Sequence, residues 1–135
     1  MAKEFFVNGQ EYTHMPLDAF TQLHVSRKTG PLFVGMAMEK TAVTLLHDIA
    51  DDDLESTLKR IMPFVRRKNN GAWTAIYNVD ASRFMFDDIG GGEVMEIMFN
   101  VLMDYLPDFF AAIDRITYGT SQPVAIAEAM ANTPQ

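Results

Sequence analysis

Residues 83–116 read RFMFDDIGGGEVMEIMFNVLMDYLPDFFAAIDRI and hold the longest nearly unbroken apolar pattern of the chain. Between Glu93 and Leu106 the only polar side chains, Tyr105 aside, are Glu93, Glu96, Asn100 and Asp104. The last three recur every four residues, so on a helix they form one narrow stripe. Val, Met, Ile, Phe, Leu and Tyr occupy the rest of the girth. A surface helix needs only one apolar stripe. The pattern therefore predicts a helix over 93–106 that is either buried at the centre of the domain or pressed against a partner. Met95, Met98, Phe99 and Met103 are its candidate partner-binding residues, because methionine adapts to varied surfaces. Glu96, Asn100 and Asp104 then mark the edge that stays wet.

On the N-terminal side of this helix, Gly90-Gly91-Gly92 reads as a flexible joint. No Lys-Ser or Lys-Thr follows it and no dinucleotide-fold glycine spacing is present, so it is not a phosphate loop. Ser82–Phe86 reads as a helical turn. On the C-terminal side, Pro107 starts a segment in which Phe109, Phe110, Ile113 and Ile116 share one apolar face, closed by Gly119. Residues 119–135 form an Ala-rich C-terminal tail, partly flexible, in which Val124–Ala131 has the composition of a short helix.

Nearer the N-terminus, Asn8-Gly9 is a strong hairpin signal, since both central positions of such a turn need positive φ. Phe5, Val7 and Tyr12 would share an apolar face. A helix is expected from Pro16 to Lys28, with Asp18 near its positive end. Phe20, Leu23, His24 and Arg27 lie three and four apart on one side of it. Gly30-Pro31 is read as its stop, and a second helix is expected over Pro31–Leu46. Asp51 or Asp52 should cap a third, with Leu54, Leu58, Ile61, Met62 and Val65 inside and Arg66-Arg67-Lys68 at its end. Asn69-Asn70-Gly71 is a turn. Trp73–Val79 alternates weakly, as a short strand or an extended loop does. The expected fold is mainly α: a small helical domain over residues 1–118 with a short N-terminal β-hairpin.

Composition narrows the function. The chain has 135 residues, about half of them apolar, enough for one domain with a real core. No run of eighteen apolar residues suggests a membrane span, and the start MAKEFFVNGQEY lacks the pattern of a signal peptide. With no cysteine there is no disulfide, thiol chemistry or thiolate metal site, which fits an intracellular protein. The net charge is -7, and it is uneven. Residues 1–68 carry nine Lys or Arg and nine Asp or Glu, whereas residues 69–135 carry only Arg83 and Arg115 against nine acids. Such a surface repels phosphate backbones and favours basic protein partners. The Arg66-Arg67-Lys68 group is too short to make a nucleic-acid site.

Candidate catalytic chemistry is thin. His47, Asp48, Asp51 and Asp52 are the best local cluster for a metal, but Asp residues at a helix junction are explained by capping. Asp87 and Asp88 adjoin the glycines, yet neighbouring residues usually point apart. His14 has no partner in sequence, and His24 inside an amphipathic helix reads as a structural histidine.

Four blocks together resemble one family. LDAFTQLHVSRKTGPL at 17–32, the Trp73–Val79 segment, RFMFDDI at 83–89 and YLPDFFAAI at 105–113 recur in that order in tail assembly chaperones of long-tailed bacteriophages. The resemblance spans about residues 4–118. It implies a non-enzymatic protein without cofactor or metal, made in the host cytoplasm. Such a protein coats the tape measure protein, helps recruit tail tube protein, and is absent from the mature virion. Many such proteins are made in two forms by translational frameshifting. From the matched helices, Phe20, Leu23, His24, Arg27, Phe109 and Phe110, with Phe84 and Phe86, become candidate contacts to a client or to a second copy of the chain. The alternatives are a structural tail completion or connector subunit retained in the virion, and a small hydrolase. Neither nucleic acid nor membrane is an expected partner.

Overall fold

The computed structural model describes residues 3–37, 47 and 49–119. Strands β1 (Phe5–Val7) and β2 (Gln10–His14) are antiparallel and turn at Asn8 and Gly9, whose φ angles are 50° and 78°. This is the expected hairpin, with Phe5, Val7 and Tyr12 on one face and the Phe5 and Tyr12 rings stacked at 5.9 Å. The same turn chemistry recurs between β3 (Val65–Asn69) and β4 (Ala72–Ala75), where Asn70 and Gly71 have φ 53° and 82°. Strand β2 pairs with β3, Tyr12 opposite Arg67, so two Asn-Gly hairpins join into one antiparallel sheet ordered β1-β2-β3-β4.

That sheet corrects the reading of Arg66-Arg67-Lys68 as a helix end. The helix before it, α2, spans Asp51–Ile61. Pro63 lies in a 3-10 turn, Met62–Phe64, where its missing N–H and its ring bar continuation of the helix. Buried Val65 and Arg67 then alternate with more exposed Arg66 and Lys68, the two-residue period of a strand. Segment 73–79 is also split. Its end, β5 (Tyr77–Asn78), pairs with β6 (Arg83–Phe84), and the expected helical turn at 82–86 is absent. Ser82 has φ 51°, and the Tyr77 and Phe84 rings meet edge to face at 5.3 Å across the small ladder.

Helix α1 runs Ala19–Ala37, straight through Gly30-Pro31, which therefore does not stop it. Asp18 caps its start, accepting the Thr21 N–H at 2.8 Å and the Thr21 hydroxyl at 2.9 Å, and these bonds lower the Asp18 pKa. Pro31 costs the helix one bond to the Arg27 carbonyl. The packing offsets that loss, because Gly30 is where the Phe109 and Phe110 rings come against the helix. Residues 38–46 of the expected second helix lie outside the described residues, as do Asp48 and the tail from 120. Helix α2 has Ala50 at its N-cap, and Asp51, Asp52 and Asp53 occupy its first turn, where they complement the helix dipole without capping it.

Helix α3 spans Gly91–Leu102, so the glycines form its first turn and not a joint. Glu93 steadies that turn, accepting the Gly90 N–H at 3.2 Å and the Asn8 amide at 3.1 Å. The helix ends four residues earlier than its apolar pattern suggests. Residues 103–105 form a turn, and α4 (Leu106–Tyr118) begins with Pro107 in its first turn and ends at Gly119 in the left-handed conformation, φ 65°. The core gathers Val7 and Tyr12 from the sheet, Val25 from α1, Ile61 and Met62 after α2, Ile97, Val101 and Leu102 from α3, and Leu106 and Phe110 from α4. The molecule is mainly helical, with the sheet laid on the helices by one face only. Phe6, on the other face, is exposed.

Two polar contacts stitch these layers. Buried His14 presents Nε2 to Asp104 at 2.6 Å and Nδ1 to the Met15 carbonyl at 2.9 Å. Arg67 makes a bidentate pair with Asp88 at 2.7 and 3.0 Å and lies 4.4 Å over the Phe86 ring. The guanidinium holds the Asp88 carboxyl below its ordinary range.

Two outcomes follow. Gly9→Val places a β-branched residue at φ 78°. It should cost about 1–2 kcal/mol, measured by denaturant unfolding. A carboxyl whose pKa is lowered on folding stabilises the fold above its unfolded pKa, and the benefit is lost as pH falls through the folded value. Asp88→Asn should therefore destabilise the protein at neutral pH and make no difference at strongly acid pH, read as unfolding midpoints across a pH series.

Candidate partner interface

Phe20 and Leu23 are 85% and 56% exposed on α1. Exposed Arg27 follows them, then buried Gly30, exposed Pro31 and half-buried Val34. Positions 20, 23, 27, 30 and 34 are three and four apart, so they form one stripe along the helix. Its C-terminal half meets α4. There Arg27, Gly30, Pro31 and Val34 face Phe109, Phe110 and Ile113 across a groove of about 440 Å³. At Gly30 the helix lies against the two rings, and a Cβ there would meet the Phe109 ring at 3.4 Å and that of Phe110 at 3.5 Å. The two rings pack edge to face at 5.7 Å and hold each other in place.

The rim of this stripe is positive. His24 bonds the Ser56 hydroxyl of α2 at 3.0 Å. Burial, then the charges of Arg60, Arg27 and Lys28, hold its imidazole below the ordinary histidine range. Lys28 is neutralised by Asp53 at 2.9 Å. Among the described residues no ion pair forms to Arg27 or Arg60, and both are exposed.

The structure thus gathers part of the predicted set. Arg27, Phe109 and Phe110 share the groove, with Phe20 and Leu23 on its continuation and His24 at its flank. It separates the methionines from them. Met98 is 3% exposed and belongs to the core, as does Phe110 at the groove floor. Phe99 and Met103 are half-buried against that core. Met95 is half-buried in a different apolar cleft, of about 350 Å³, with Leu54 and Leu58 of α2 and Val94 of α3. The helix that is apolar nearly all round is largely covered by its own chain. Asp104 is not on its wet edge, since it sits in the turn beyond the helix and points to His14. Phe84 and Phe86 are half-buried against the core.

Sequence reasoning missed Gly30, Pro31, Val34 and Ile113 as groove residues. The signal was the continuation of the 20, 23, 27 spacing to 30 and 34, hidden by reading Gly-Pro as a stop. Ile113 and Ile116 are not on the buried side with Phe110. They are 41% and 84% exposed, and the inward line of α4 is Leu106, Phe110 and Asp114.

Among the described residues no group of three or more His, Asp or Glu stands where it could hold a metal, and no helix is long and apolar enough to cross a membrane. Other concavities among the described residues include a mainly apolar pocket of about 320 Å³ between α2 and the β5–β6 ladder and a depression along α2 lined by Asp52, Glu55, Ser56, Lys59 and Arg60. On α1 the surface carries an apolar stripe running into a groove.

A profile of the phage tail assembly chaperone protein family, TAC, matches residues 8–117. The chain belongs to this family, and its role is that of a tail assembly chaperone and not of an enzyme. No curated protein and no solved structure matches the chain.

The two kinds of apolar residue should separate in one experiment. Met98→Ala is expected to cost about 2–5 kcal/mol of stability by leaving a cavity. Leu23→Ala should stay within about 0.5 kcal/mol of wild type. Chemical denaturation of both variants checks this.

Proposed function

We propose that this chaperone binds the tape measure protein and assists assembly of the tail tube around it, acting in the host cytoplasm and leaving before the virion is complete. The observation that supports this reading is the exposed stripe Phe20–Leu23 leading into the α1–α4 groove. A long helical client offers amphipathic segments that need cover before assembly, and an apolar stripe ending in a groove is a receptor for one. The acidity of residues 69–135 keeps the protein soluble and repels nucleic acid while that stripe stays open.

Co-expression with the tape measure protein of the same phage should give a complex that co-purifies. Mass spectrometry of purified particles should find the tape measure protein and not this chain. Stoichiometric presence of the chain in particles would instead make it a structural subunit of the tail.

A further inference from the structure

The overall charge of -7 suggests a basic partner, yet the exposed apolar stripe of α1 carries an exposed cation, Arg27, at its middle. Arg27 interrupts the stripe itself and forms part of the groove wall. Arg60 of α2 lines a depression with Ser56, whose hydroxyl bonds His24, one turn from Phe20, at 3.0 Å. Among the described residues Asp53 pairs with Lys28 and Glu55 with Lys59, and no carboxylate lies within ion-pair distance of Arg27 or Arg60. A ligand lying along Phe20, Leu23 and the groove thus meets two arginines that have no ion-pair partner among the described residues. From Phe20 to Val34 the stripe is about 21 Å long at 1.5 Å per residue, enough for about four turns of a bound helix.

We infer that the α1–α4 groove and the stripe leading to it bind an amphipathic helix of a partner protein whose apolar face is bordered by acidic residues placed to pair with Arg27 and Arg60. This rests on the chaperone reading above and specifies its client segment. It also reverses the expectation drawn from net charge. The like-charged remainder of the protein then keeps such an acidic client from sticking elsewhere, so that one surface accepts it and the others repel it. Binding at an arginine that wets the middle of an apolar stripe fixes register, because the helix seats only where a carboxylate falls opposite that position.

The test uses the full chain and three fluorescein-labelled peptides, read by anisotropy. Two are amphipathic helices of about eighteen residues, identical in their leucine face and carrying either Glu or Lys along its borders. The third carries residues 120–135 of this chain. The Glu-bordered peptide should bind about tenfold more tightly than the Lys-bordered one at low salt, and the gap should narrow as salt rises. Arg27→Glu should reverse the order. Leu23→Asp should weaken both, while circular dichroism shows the fold unchanged, as expected for an exposed position.

Equal binding of the two helices, tighter binding of the Lys-bordered one, or binding untouched by Leu23→Asp would overturn the inference. Tightest binding of the 120–135 peptide would give the groove to the chain's own end. A dimer in sedimentation that dissolves with Leu23→Asp, with no peptide bound, would give it to a second copy. Co-purification of wild type with the tape measure protein separates the two levels. If it succeeds while the peptides fail, the groove assignment falls and the chaperone reading stands. If it fails while the Glu-bordered peptide binds as described, the groove stands and the client is another protein.

Discussion

The bond of 2.6 Å between His14 and Asp104 joins residues ninety positions apart and fixes how the sheet meets the helices. His14 ends β2, beside Val65 of β3, and Asp104 occupies the turn between α3 and α4. Held at that point, the turn sets the angle at which α4 leaves α3. Tyr105 reinforces it, accepting the Leu17 N–H at 3.0 Å and tilting against the His14 ring at 5.7 Å. Leu106 and Phe110 then enter the core, and Phe109 and Phe110 reach Gly30. The histidine of this contact is buried and its carboxylate is partly exposed. A hydrogen bond to a carboxylate is strong where water is largely excluded, and leaving the buried imidazole without its partner would be costly.

Much of the architecture was legible where local chemistry is decisive. Asn8-Gly9 named its hairpin and Gly119 closed α4, whereas the first helix, expected from Pro16, starts at Ala19 because Asp18 caps it from outside. Asn69-Asn70-Gly71 was recognised as a turn, but its hairpin was missed because Arg66-Arg67-Lys68 also suits a helix end, and short segments serve either state until tertiary pairing chooses. Here β2 chose, since Tyr12 and His14 needed a neighbouring strand and Val65 and Arg67 supplied it. The same competition explains α1. Gly30-Pro31 ends most helices, but in this chain rings from α4 pack on the glycine, and that burial outweighs the lost hydrogen bond.

The candidate interface was legible in its residue types and not in their allocation. An apolar sequence marks burial without saying whether the cover is the same chain. Helix α3 found its cover in α2 and β1, so its methionines became interior. Helix α1 is less densely apolar, but Phe20 and Leu23 are exposed on it, and that made it the more informative surface. Partial information also came from charge. The count by halves showed where acid accumulates, whereas cations without an ion-pair partner among the described residues, Arg27 and Arg60, became visible only in the structure, where Lys28 pairs with Asp53 and Lys59 with Glu55.

The topology has a consequence for the timing of synthesis. Strand β2 finds its neighbour about fifty residues later in the chain, so the N-terminal hairpin leaves the ribosome long before the strand that completes its sheet. An isolated hairpin is marginal in water, and closing so long a loop is slow compared with forming the helices. The groove is later still, because its walls come from α1 and α4 and its last lining residue is Ile113. A nascent chain therefore exposes Phe20 and Leu23 before it possesses the cleft into which they lead. The stripe and groove exist as one continuous surface only in a finished molecule, so whatever that surface does is a post-translational event and not one shared with the growing chain.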